Sequence, residues 1–99
     1  MASPPRPYSI DAACASHILV GNAKGGGHRH GAGWGKSEFP SGWSDAEILT
    51  RIEEVANDAA SISTSARLGR LRIIGTRNGV KITVIADPGN WAVITGYPT

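Results

Sequence analysis

The side chains of this sequence best suited to proton chemistry are crowded into one stretch. Ser16 to Pro40 reads SHILVGNAKGGGHRHGAGWGKSEFP and holds all three histidines, His17, His28 and His30. Seven of the thirteen glycines lie there too, with Lys36 near the end. Histidine is the side chain whose ordinary pKa lies near neutrality. Glycine lets the backbone take positive φ and lets a ligand come close. Ordering such a loop costs roughly 1–2 kcal/mol per residue in backbone entropy, so this composition reads as a site.

Two imidazoles and a lysine, with a hydroxyl and a phenol at Thr95 and Tyr97 and no carboxylate pair, suit one reaction well. That reaction is cleavage of RNA by its own 2′-hydroxyl. One imidazole takes the 2′ proton and the other protonates the leaving 5′ oxygen. The lysine stabilises charge gathering on the phosphate oxygens. No serine or cysteine nucleophile is needed, and no cofactor. On chemistry alone this is one option among several. The string Gly-Gly-Gly-His28-Arg29-His30 also reads as a metal pair or as surface histidines. The glycine spacing matches neither a dinucleotide fingerprint nor a phosphate-binding P-loop.

The elements that position these residues can be read along the chain. Tyr8 to Leu19 has apolar residues at helical spacing, with Ser9 as a cap and Asp11 in the first turn. Gly21 ends it. His17 then falls near the carbonyl end of a helix, which favours a cation. Short strand pieces are conceivable around Ala32 to Trp34. Ser44-Asp45-Ala46-Glu47 is a capping box, opening a helix over Asp45 to Asn57. Ile48, Leu49, Ile52, Val55 and Ala56 form its buried stripe, and its carboxylates take a solvated face. Asp58 to Ser65 reads as a connector.

Three strands follow, Arg70–Thr76, Val80–Asp87 and Trp91–Tyr97. Asn78-Gly79 is a strong hairpin signal. A two-residue turn there pairs Ile73 with Val84 and Gly75 with Ile82. Leu71, Ile73, Ile82, Val84 and Ala86 then share the face that the second helix covers. Arg70, Arg72, Lys81 and Thr83 share the opposite face with Ile74 and Ile85. Thr95 and Tyr97 project to one side. Which side depends on the register beyond Pro88-Gly89, since a one-residue slip flips both.

Composition bounds the rest. Ninety-nine residues make one domain over 1–99. Residues 1–7, Met-Ala-Ser-Pro-Pro-Arg-Pro, lack the apolar stretch of a secretory signal and read as a flexible linker. No run is apolar enough to span a membrane. The single cysteine, Cys14, excludes an internal disulfide. The net charge of +2 hides an asymmetry, with acidic residues concentrated between Asp45 and Asp58 and a basic remainder. A solvated mixed surface and a polyanion partner on the basic side both fit it.

Several separated segments resemble one family in the right order. They are His17-Ile18-Leu19 with Gly21, Gly25-Gly26-Gly27-His28, Gly35-Lys36-Ser37-Glu38-Phe39-Pro40, Trp43-Ser44-Asp45 with Ile48, and Thr95-Gly96-Tyr97-Pro98. The family is the bacterial EndoU ribonucleases, toxin domains at the C-termini of contact-dependent inhibition and other polymorphic toxins. The likeness covers about Ser16 to Pro98. It implies an α+β fold of the barnase–EndoU–colicin–RelE kind, with N-terminal helices packed on a C-terminal antiparallel sheet. It implies a metal-independent, lyase-type endoribonuclease that cuts RNA, tRNA among the candidates, next to uridine and leaves a 2′,3′-cyclic phosphate. The catalytic positions it implies are His17, His28, Lys36, Thr95 and Tyr97. His30 is the fallback for the second histidine. His30, Trp34, Arg72 and Lys81 are expected to bind substrate, with no metal ligands. The resemblance further implies a larger exported toxin acting in the target-cell cytoplasm, and a cognate immunity protein. Two other functions are the alternatives: a non-catalytic RNA-binding module, and a metal-dependent hydrolase using His28 and His30.

Overall fold

The computed structural model describes residues 8–21, 25–33 and 35–99. Helix α1 spans Ala12–Leu19 and helix α2 spans Asp45–Asn57. Strands β1 (Ile62–Ser65), β2 (Leu71–Arg77), β3 (Val80–Asp87) and β4 (Ala92–Pro98) form one antiparallel sheet in the order β1-β2-β3-β4. The fold is α+β, two helices on a four-stranded antiparallel sheet, as the sequence predicts.

Helix α2 has the bounds that its capping residues dictate. Ser44 Oγ accepts the Glu47 amide at 3.1 Å and satisfies an orphan donor of the first turn. Ile48, Ile52 and Val55 pack in one core with Ile73, Ile82, Val84, Ala86 and Val93, with Leu49 and Leu71 at its margin. Each large aliphatic side chain buried there contributes roughly 1.5–3 kcal/mol. The β2–β3 register is the one Asn78-Gly79 sets, with Ile73 opposite Val84 and Gly75 opposite Ile82. Asn78 and Gly79 both take positive φ, 51° and 77°, as a type I′ turn requires.

The register of β4 settles the side on which Thr95 and Tyr97 lie. Ala86 pairs with Val93, but Ile85 pairs with Thr95, so Ile94 is an extra residue in β4. This β-bulge breaks the two-residue alternation. Val93, before it, points into the core. Thr95 and Tyr97, after it, share the opposite face with their partners Ile85 and Thr83. Gly96, between them, faces Ile52 of α2 so closely that a Cβ would stand 2.9 Å from the isoleucine side chain.

Three segments differ from the sequence reading. Helix α1 starts at Ala12, capped by Asp11, whose Oδ1 accepts the Cys14 amide at 2.7 Å. Tyr8 to Ile10 is not helical because its backbone is committed elsewhere. The Tyr8 amide donates to Asn57 Oδ1 at 2.6 Å, the Ile10 amide to Glu53 Oε2 at 3.0 Å, and Ser9 bridges β4 beside Ala92. The expected connector contains β1, an edge strand with all four residues exposed. Backbone pairing to β2 forms it, without the apolar alternation that would have announced it. The carboxylates of α2 are more than a solvated face: Arg51 bonds Glu47 and Glu54, and Arg77 of β2 bonds Glu54 and Asp58. At this exposure solvent screens each pair, and those of Arg77 tie the helix to β2 more than they stabilise it.

Candidate active site

Helix α1 ends by giving its last carbonyls to the glycine-rich loop. The His17 carbonyl accepts the Gly27 amide at 2.9 Å, Ile18 accepts His28 at 2.7 Å, and Leu19 accepts Arg29 at 3.4 Å. Acceptors that a helix end leaves orphaned thereby hold the loop in register with it. The approach demands glycine. At Gly26, with φ of 72°, a Cβ would overlap the His17 carbonyl oxygen. At Gly25 a Cβ would meet His17 Cε1 at 3.3 Å, so the imidazole lies against this strip of bare backbone.

His28 is the buried member of the histidine group, with 8% of its surface exposed. Its carbonyl accepts the Phe39 amide at 2.7 Å, and its Nδ1 lies 2.8 Å from the Ser37 carbonyl oxygen. A carbonyl only accepts, so Nδ1 carries the proton in this bond and Nε2 is the basic nitrogen of the neutral ring. Burial pushes the His28 pKa below its ordinary value. The Ser37 carbonyl opposes this, while the positive charges of Lys36 and His17 add to it. The His28 and Tyr97 rings lie 5.4 Å apart, which sets this loop over the sheet face away from α2. Thr83, opposite Tyr97 in the ladder, is buried on that face.

His17 and Lys36 lie near enough to His28 for their charges to act on it, Tyr97 meets its ring, and Thr95 lies two residues along the same strand face. His30 is turned elsewhere. It is exposed, with Nδ1 3.8 Å from Glu38 Oε1. Glu38 also accepts the Gly31 and Gly33 amides at 3.1 and 3.2 Å and closes the loop. Arg29 ties the same loop to the start of α2 through Asp45 at 3.2 Å. Arg72 and Lys81 are exposed on the face that carries Thr95 and Tyr97. Trp34, and the strand piece expected at its position, lie outside the described residues; Ala32 and Gly33 are not in a strand. Among the described residues no three His, Cys, Asp or Glu side chains are grouped to hold a metal ion. The part played by Ser37 escapes sequence reading because its backbone carbonyl, not its hydroxyl, holds His28.

The model of the bacterial EndoU nuclease family matches residues 21–99. That is most of the chain, which belongs to this family. It is a nuclease by class, and nucleic acid is the substrate of that class. The match begins at Gly21, so His17 is not within it. His17 is joined to the matched segment by its bond to Gly27. No curated protein and no solved structure matches the chain.

Proposed function

We propose that this nuclease is a metal-independent endoribonuclease that cleaves RNA next to uridine and leaves a 2′,3′-cyclic phosphate. The observation that carries the reading is His28. Its Nδ1 is held by Ser37, its Nε2 is left basic, and its pKa is lowered, so the neutral form prevails at neutral pH. His28 takes the 2′ proton. His17, in the last turn of α1 and against the glycine strip that leads to His28, protonates the 5′ oxygen. Lys36 neutralises charge on the phosphate, and Thr95 and Tyr97 orient the nucleotide from β4. The basic face of the sheet, with Arg72 and Lys81, carries the rest of the strand. We read the domain as the C-terminal toxin part of a larger exported protein, acting in the cytoplasm of a target cell and restrained in its producer by an immunity protein.

Incubating the pure domain with a uridine-containing RNA in excess chelator tests this. Cleavage there, lost in the His28→Ala variant, is the expected result. A mobility shift without cleavage supports an RNA-binding module. Cleavage only on adding metal supports a metal-dependent hydrolase, and either outcome overturns the proposal.

A further inference from the structure

Six arginines lie among the described residues. Three are committed to carboxylates: Arg29 to Asp45, Arg51 to Glu47 and Glu54, and Arg77 to Glu54 and Asp58. The other three, Arg67, Arg70 and Arg72, have no carboxylate at ion-pair distance among the described residues. All three line one cavity of about 180 Å³, with Ala66 and Ile85. Asp87 lies one step beyond the Leu71–Ala86 pair, and so beside Arg70 in register, but its Oδ1 accepts the Gly89 amide at 2.8 Å. The larger cavity, of about 270 Å³ beside Leu19, offers only Arg29, which Asp45 already holds.

The turn that presents Arg67 and Arg70 is fixed by its own backbone. The Ala66 amide donates to the Arg70 carbonyl at 2.8 Å, and the Arg70 amide to the Arg67 carbonyl at 3.2 Å. Leu68 takes a φ of 60°, costly for a leucine, to close it. Three guanidinium groups around an apolar wall repel one another until an anion sits between them. The planar fork of arginine suits phosphate oxygens bidentately. The position gives the anion its identity. Ile85 pairs with Arg72 on one side and with Thr95 on the other, so the cavity shares the sheet face of the candidate active site. Two strand spacings, about 10 Å, separate Arg72 from Thr95. That sets the arginine cluster to one side of Thr95, where a phosphate further along the same strand would lie.

We propose that Arg67, Arg70 and Arg72 form a second phosphate subsite that grips the backbone of single-stranded RNA beyond the cleavage point. This rests on the ribonuclease reading and narrows it: the substrate is an extended oligonucleotide, not a dinucleotide. The test uses an Arg67→Gln/Arg70→Gln variant, with thermal unfolding to confirm its fold and Arg67→Glu/Arg70→Glu as a stronger second variant. Cleavage of a uridine dinucleotide is compared with cleavage of a hexanucleotide containing the same step. The hexanucleotide-to-dinucleotide ratio of kcat/KM falls by roughly tenfold or more, the loss of one charge-assisted hydrogen bond. The slope of log kcat/KM against log salt falls by about 0.7 for each phosphate released. Binding of a hexanucleotide with 2′-deoxyuridine at the cleavage step, read by fluorescence anisotropy, weakens by a similar factor. An unchanged ratio with unchanged binding overturns the subsite and leaves the ribonuclease reading standing. If the wild type cleaves neither RNA, that reading fails, and the binding measurement alone decides the subsite.

Discussion

His28 differs from His30 through backbone groups. Ser37 and Phe39 hold it from one side and Ile18 from another, while His30 faces solvent and Glu38. As the proposed base, His28 must be neutral to act. Its pKa is lowered, chiefly by burial, so the neutral form survives to lower pH than an ordinary histidine, about 6.5. The rising limb of kcat/KM against pH is therefore expected below that value, with the falling limb set by the acid partner. A rising limb at or above 6.5 in steady-state kinetics would contradict this assignment. His17→Ala and His28→Ala are each expected to lose roughly 10²–10⁴-fold in rate, the double variant little more, and His30→Ala to keep most activity. The histidines and Lys36 were legible as a group from composition and spacing. Their environment was not, because the groups that hold His28 are main-chain atoms brought from the far end of the loop.

At the scale of elements, the bulge at Ile94 is what aims the site. Without it Thr95 and Tyr97 would follow Val93 into the core. The strand is held against α2 at Gly96, where any side chain meets Ile52. Gly96→Ala is expected to destabilise the fold by about 1–3 kcal/mol through overpacking. Ile52→Val, which removes a contacting methyl, should relieve part of that cost in the double variant. Simple additivity in thermal unfolding would show that the two residues do not meet. The bounds of α2 and the β2–β3 register were readable because a capping box and an Asn-Gly turn are local signals. The bulge, strand β1 and the late start of α1 were not. Each is decided by a distant partner: Ile85 and Ala86 for the bulge, β2 for β1, and Asn57 and Glu53 for the segment before α1.

Across the whole molecule the sheet divides two tasks. One face is closed by α2, whose carboxylates are occupied by Arg29, Arg51, Arg77 and the Ile10 amide. The other face carries Arg72, Lys81, Thr95 and Tyr97, with the His28 loop over one end. The carboxylates on the α2 side are largely paired, while Arg72 and Lys81 are exposed on the face that carries Thr95 and Tyr97, an arrangement that favours a polyanion there. Fold class was legible in the sequence because helical and strand periodicities follow one another without overlap. The charge asymmetry was legible too, but its sidedness had to wait for the sheet. The proposed use of the substrate's own hydroxyl is tested most directly with two oligonucleotides alike except at one uridine, ribose in one and 2′-deoxyribose in the other. In chelator, the ribose form should be cut at that uridine with a 2′,3′-cyclic phosphate detected by mass spectrometry, and the deoxy form should stay intact. Cleavage of the deoxy form at the same bond would contradict the mechanism.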